Sequence, residues 1–177
     1  MPPTDVQLDV SSDAYVERIS DLFVRVMQKT LTEDLMEELA KGQVTSSLLA
    51  AMWHIDQHGT CSVRSVAEGM AVTFSAASQL VDRLVKRGLA TRQEAKQDRR
   101  LCDVSLTPDG QRIVRTVRVA RAERIAGALV RMRPAQRRQL VESLEEFIRA
   151  VAPDEESRGR ICLVCGKEHI SGCVIEG

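Results

Sequence analysis

Apolar side chains recur at three- and four-residue spacing along most of the chain, and alternate with polar ones over one short stretch. Tyr15, Ile19, Leu22, Phe23, Val26 and Met27 form a first stripe behind Ser12 or Asp13 as cap, continued by Leu31, Leu35 and Leu39. Gly42 ends this segment. Thr45 is placed to cap a second helix with Leu48, Leu49, Met52, Trp53 and Ile55 inward, and Gly59 stops it. A short helix follows from Val63 to about Met70 behind Ser62, then a break at Ala71 and Val72 and a new cap at Thr73. From Phe74 to Arg87 the pattern is strongly two-faced. Phe74, Ala77, Leu80, Val81, Leu84 and Val85 lie on one side, with Ser75, Ser78, Gln79, Asp82, Arg83 and Lys86 on the other. Gly88 stands where a left-handed residue closes a helix. The period then shortens: Leu89–Ala95 and Leu101–Thr107 predict two strands joined by the polar tip Lys96-Gln97-Asp98-Arg99-Arg100. Thr107-Pro108 opens a long helix reaching about Met132, with Ile113, Val114, Val117, Ala120, Ile125, Ala128 and Leu129 inward. Pro134 opens a last helix striped by Leu140, Val141, Leu144, Phe147, Ile148 and Val151.

The expected fold is mainly α with a small β-hairpin wing: a winged helix-turn-helix plus long helices that form a dimerisation domain. The chain divides into an arm (1–11), N-terminal dimerisation helices (12–44), the winged region (45–107), C-terminal dimerisation helices (108–152), an acidic linker (153–160) and a Cys/His-rich tail (161–177). The first and last helices are apolar over broader faces than one winged domain can cover, which predicts a homodimer.

Composition narrows the class. The chain has 177 residues, 44% apolar and 28% charged, with 3% aromatic, a mix that folds and favours helix over sheet. No apolar run approaches membrane-spanning length, so no membrane partner is expected. The N-terminal residues have no export-signal pattern, so the expected location is cytoplasmic. The formal charge is zero but unevenly spread. Residues 1–60 carry four basic and ten acidic groups, whereas residues 61–138 carry 17 and seven. A basic block hidden in a neutral chain suits a protein that presents one positive face to a polyanion. The alternative is a set of solvated helix faces balanced by the acidic ends.

The order of helix, break, helix, glycine and basic-tipped hairpin is that of a winged helix-turn-helix. A helix fits the major groove of B-DNA, and small polar residues at its N-terminal end approach base edges. Ser75, Ala76, Ser78 and Gln79 are the base-contact candidates, with Gln79 suited to adenine and Ala76 to a thymine methyl. Thr73, Arg64, Arg83, Lys86, Arg92 and Lys96 complete the expected DNA-binding set, mostly toward phosphates. Arg99 or Arg100 would reach the backbone or the adjacent minor groove. The expected partner is double-stranded DNA.

Three blocks carry a resemblance to a known family: Ser65-Val66-Ala67-Glu68, then Leu80-Val81-Asp82-Arg83-Leu84-Val85-Lys86-Arg87-Gly88-Leu89, then Asp98-Arg99-Arg100 with Val104-Ser105-Leu106-Thr107-Pro108-Asp109-Gly110. In these the chain resembles the MarR family of bacterial transcriptional regulators over about residues 12–152. The resemblance implies an obligate homodimer on pseudo-palindromic operators and ligand- or redox-controlled repression. It also implies a small-molecule effector pocket between the DNA-binding and dimer parts. It makes Asp98 the holder of one neighbouring arginine while the other reaches DNA. Two positions depart from the family pattern. Ala71 replaces a common turn glycine, which calls for a turn outside the left-handed region. Phe74 replaces a common proline and is expected to serve as an apolar anchor.

The tail spells C-x2-C-x3-H-x3-C with Cys162, Cys165, His169 and Cys173. Three thiols and an imidazole make a tetrahedral ligand set for Zn2+, and glycines beside Cys165 and Cys173 give the turn freedom. One metal centre per subunit is the expectation, zinc first. The same ligands suit an iron–sulfur cluster, and Cys162 with Cys165 suits a thiol–disulfide redox switch. A reduced tail without metal is the bland alternative.

Other candidates read as structure first. Cys61 fits a buried thiol better than an activated one at a helix start, and Cys102 fits wing packing. His54 and His58 lie one helical turn apart without a third ligand nearby. Tyr15, Trp53 and His54 are candidates for an effector pocket, with core packing as the alternative. No nucleophile elbow, phosphate loop or acid–base pair is present, so an enzyme is not expected. The competing classes are a thiol oxidoreductase resting on the tail alone and a winged helix that binds protein.

Overall fold

The computed structural model describes residues 12–40, 44–94 and 102–154, together with Ser157 and Cys173. The expected arm, the wing tip with Lys96, Arg99 and Arg100, and the tail ligands Cys162, Cys165 and His169 lie outside the described residues. No helix among the described residues is long and apolar enough to cross a membrane.

Helix α1 (Asp13–Gln28) begins where the Ser12 hydroxyl accepts the Tyr15 amide. It runs through a π-helical turn (Lys29–Glu33) into α2 (Asp34–Ala40). Thr45 caps α3 (Ser46–His58) and Ser62 caps α4 (Val63–Gly69). Thr73 caps α5 (Phe74–Lys86) and Thr107 caps α6 (Pro108–Val130). Each cap takes an amide three residues on, satisfying one of the orphan donors of the first turn. Pro134 stands at the first position of α7 (Pro134–Val151), after an Arg133 whose amide donates to Gln136 Oε1 at 3.0 Å.

The sheet has three strands, β1 (Cys61–Ser62), β2 (Ala90–Glu94) and β3 (Cys102–Leu106), in antiparallel order β1-β3-β2. The hairpin β2–β3 matches the expected wing, with Arg92 opposite Val104. β1 was not expected. Two residues carry no period, and Cys61 becomes a strand only by pairing with Val104.

The core is built on α3. Leu48, Leu49, Met52 and Ile55 are buried against Val66 of α4, and against Leu80, Val81 and Leu84 of α5. Val104 of β3 and Val114 and Val117 of α6 close it. Burying one such side chain stabilises by about 1.5–3 kcal/mol. The core therefore fixes α5 against α3 and α4, leaving the opposite face of α5 outward. Two expectations fail here. Phe74 does not anchor: it is 57% exposed, because at the first position of α5 it lies beside the buried stripe of Ala77, Leu80, Val81 and Leu84. Ala71 adopts φ +52°, inside the left-handed region, because α4 ends on bonds from Ala71 N to Glu68 O and Val72 N to Ala67 O that require it. A left-handed non-glycine residue costs roughly 1–2 kcal/mol.

Helices α1 and α7 contain no buried residue. Their stripes are nevertheless apolar, with Leu22 54% and Phe147 56% exposed. In the second half of α6, Ile125 and Val130 are exposed as well.

Candidate nucleic-acid interface

The outer face of α5 carries the expected polar residues. Thr73, Ser75, Gln79, Arg83 and Lys86 are exposed, Ala76 and Ser78 half-buried, and Arg64 is exposed on α4. The Thr73 hydroxyl is engaged as the cap, accepting the Ala76 amide at 3.2 Å, so it fixes the start of the helix. Arg83 Nε donates to the Gln79 carbonyl at 3.2 Å, laying the side chain back along the helix toward its N-terminal half. Positive charge is thereby drawn toward the end where the helix dipole is also positive.

Asp82 shares this face, and an uncompensated carboxylate there would repel phosphate. Arg92 of β2 answers it, with Nη1 2.9 Å from Asp82 Oδ1. The structure thus commits Arg92 to the recognition helix, as a clamp between helix and wing. Thr91 and Ser105 join the two wing strands through their hydroxyls at 3.0 Å.

The C-terminal end of α5 is locked to α6. Gly88 takes φ +70° and closes α5, with Leu89 N bonded to Leu84 O at 2.9 Å. The Thr107 hydroxyl donates to Gly88 O at 2.7 Å, and Thr107 N donates to Leu89 O at 3.1 Å. Gly110 lies so close that a Cβ there would stand 2.2 Å from Leu89 O. The block Leu106-Thr107-Pro108-Asp109-Gly110 is therefore a joint between the recognition helix and the long helix α6.

The basic block of residues 108–138 is only in part a free positive surface. Arg118 pairs with Asp56 at 2.9 Å and Arg124 with Glu38 at 2.7 Å. Arg124 also donates to the Thr30 carbonyl in the π-helical turn, and Arg112 pairs with Asp109. Arg121 lies over the Trp53 ring, 5.6 Å from its centroid. These contacts spend part of the charge on the acidic N-terminal third of the chain. Net charge alone could not show this, because it does not say which arginines already face a carboxylate.

The three effector-pocket candidates sit as follows. His54 is buried on α3, its Nε2 3.0 Å from the Ser65 hydroxyl, with Gly69 so close that a Cβ there would meet its ring at 2.2 Å. Trp53 packs half-buried on the core beneath Arg121. Tyr15 is half-buried on α1. Cys61 is buried in β1, and burial, with a smaller push from the Asp103 charge, raises its thiol to about 11. It is a packing thiol. Cys173 is half-buried, the one candidate tail ligand among the described residues.

A capped recognition helix with a polar outer face, a preceding helix across a tight turn, and a clamped β-hairpin define a winged helix-turn-helix. Comparison with known proteins names the group: residues 44–102 match the MarR family. Over 89 residues it is 32% identical to the HTH-type transcriptional repressor MdtR of Bacillus subtilis, a match covering 50% of this chain and 57% of that protein. The matched stretch thus spans little more than half the length of this curated relative. Its fold is similar to that of RV1404 from Mycobacterium tuberculosis, with TM-score 0.72, 26% identity, and coverage of 78% of this chain and 94% of the other. It shares the fold of Streptococcus pneumoniae FabT, solved in complex with DNA, at TM-score 0.66 and 16% identity, covering 76% and 95%. Family and curated relatives are transcriptional regulators rather than enzymes.

Proposed function

We propose that this protein is a cytoplasmic, sequence-specific DNA-binding repressor that grips a pseudo-palindromic operator as a homodimer. The single observation that carries this is the outer face of α5, where Ser75, Gln79, Arg83 and Lys86 stand exposed on a helix fixed by its cap, core and wing clamp. In the major groove, Gln79 and the serines address base edges, while Arg83, Lys86 and Arg64 address phosphates. In this proposal Arg99, Arg100 and Lys96, which lie outside the described residues, extend the footprint to the neighbouring groove. The exposed stripes of α1 and α7 support the dimer. Among the described residues, side chains such as Leu22 and Phe147 stand in water, and a second copy of the chain would cover them. The repressor name of MdtR supports the sign of regulation.

In this proposal the C-terminal ligands Cys162, Cys165, His169 and Cys173 hold one Zn2+, and the metal modulates DNA affinity. The support is the donor set and its spacing. A small effector bound near Tyr15, Trp53 and His54 is the second input.

The test is selection from random duplexes, followed by binding at several salt concentrations. Enrichment of a two-fold-symmetric sequence, bound by a species of twice the chain mass, is the expected result. Replacing Arg99 and Arg100 together weakens binding to all sequences, and an unchanged affinity removes the wing from the interface. Zinc, iron and sulfide per chain are counted in the anaerobically purified protein. One zinc supports the metal proposal, iron with sulfide replaces it by a cluster, and neither metal ends it. Unchanged operator affinity in Cys165→Ser would also end the modulatory role.

A further inference from the structure

Phe74 is one of three phenylalanines in the chain, and it stands 57% exposed on the first turn of α5. Val72, in the turn just before it, is 37% exposed. Together they form a small apolar step flanked by Thr73 and Ser75. Its place differs from that of the other exposed apolar side chains. Those of α1 and α7 run along long stripes far from the recognition helix in the chain. This step stands at the end of α5 that enters the groove, continuous with the polar face that addresses bases.

With α5 in the major groove, as proposed above, a ring held there faces the groove floor rather than a second copy. The one apolar group on that floor is the C5-methyl of thymine. Ala71, left-handed at φ +52°, sets the turn that carries the step, and Thr73 fixes the helix start beside it. Phe74 therefore arrives with its backbone already ordered. Resting on the DNA-binding function proposed above, we infer that Phe74 is a specificity-determining residue that reads one thymine methyl in each half-site. Half-buried Ala76, the smaller candidate for the same contact, has little surface to offer it.

The experiment uses the full-length protein and duplexes it selects from a random pool. Each thymine is replaced in turn by deoxyuridine, which removes only the methyl. One thymine per half-site is expected at which uracil weakens wild-type binding about fourfold, the effect of one buried methyl group near 0.8 kcal/mol. In Phe74→Ala that difference vanishes, while affinity for the uracil duplex stays within about twofold of wild type. Phe74 is exposed, so the variant keeps the wild-type melting curve, which confirms that folding is intact. A uracil effect that survives in Phe74→Ala assigns the methyl to another side chain and overturns the inference, as does the lack of any uracil effect. Failure to select any sequence brings down the DNA-reading function itself, and the inference with it.

Discussion

The joint between α5 and α6 offers a perturbation whose size follows from the geometry. In Gly110→Ala, the new Cβ would stand 2.2 Å from Leu89 O and 3.2 Å from Leu89 C. Ordinary contact begins near 3.4 Å, so about 1.2 Å must open. The atom in the way is backbone and cannot swing aside. It also accepts the Thr107 amide at 3.1 Å, one residue after a Gly88 carbonyl held by the Thr107 hydroxyl. Overpacking of this kind costs about 1–3 kcal/mol. Ala's helix preference offsets up to about 1 kcal/mol of that. The net expectation is a Tm lower by about 2–8 °C in thermal unfolding at fixed protein concentration. Gly127→Ala on the same helix is the matched control. A Cβ there meets nothing within 4 Å of the protomer, so its Tm should hold or rise. Because the clash pushes α5 away from α6, DNA affinity of the folded Gly110→Ala protein should fall as well. A Tm equal to or above wild type would refute the close approach at Leu89.

Other expectations follow from single contacts. Ala71→Gly relieves the left-handed strain at φ +52° and should stabilise by up to about 1 kcal/mol in denaturant titration, with an unchanged midpoint speaking against that turn. Arg92→Ala leaves Asp82 uncompensated on the outer face of α5, so on the proposed function it should weaken DNA binding more than it destabilises the fold. Adding Asp82→Ala should restore part of the affinity, and strictly additive losses would show that the clamp plays no electrostatic part. Burial raises the Cys61 thiol from 9.0 to about 11, so the folded state holds that proton longer than the unfolded one. Its contribution is complete below pH 9 and is lost as pH rises toward 11, a fall of up to about 2–3 kcal/mol. At pH 8 its alkylation should be roughly a hundredfold slower in native than in unfolded protein, measured by mass spectrometry of the Cys61 peptide.

The helices and their starts were legible because caps and periods are local. Ser12, Thr45, Ser62, Thr73 and Thr107 each sit where a hydroxyl precedes an apolar stripe, and each one caps. The buried face of α5 was legible at Ala77, Leu80, Val81 and Leu84, and missed at its ends. Phe74 and Val85 fit the period but lie at the border of the stripe, and only the neighbouring elements decide whether a border residue is covered. β1 was illegible because its only cause is the partner strand. The Arg92–Asp82 clamp and the Arg118 and Arg124 pairs were missed for the same reason, since each joins side chains of two different elements, Arg118 and Arg124 reaching partners more than sixty residues away. The bond that explains Thr107-x-x-Gly110 as a joint lies between loops, and periodicity cannot reveal it.

The account rests on α5 as the element that reads DNA, and one binding experiment bears on it directly. Wild type and the double variant Ser75→Ala/Gln79→Ala are titrated, across a salt series, with a duplex selected by wild type and with a scrambled duplex of equal composition. Wild type should prefer the selected duplex by at least a hundredfold, and the logarithm of its affinity should fall linearly with that of salt, at about 0.9 per phosphate neutralised. The variant should lose most of the preference and keep the salt slope. Equal affinity of wild type for both duplexes, or a preference untouched in the variant, would contradict it.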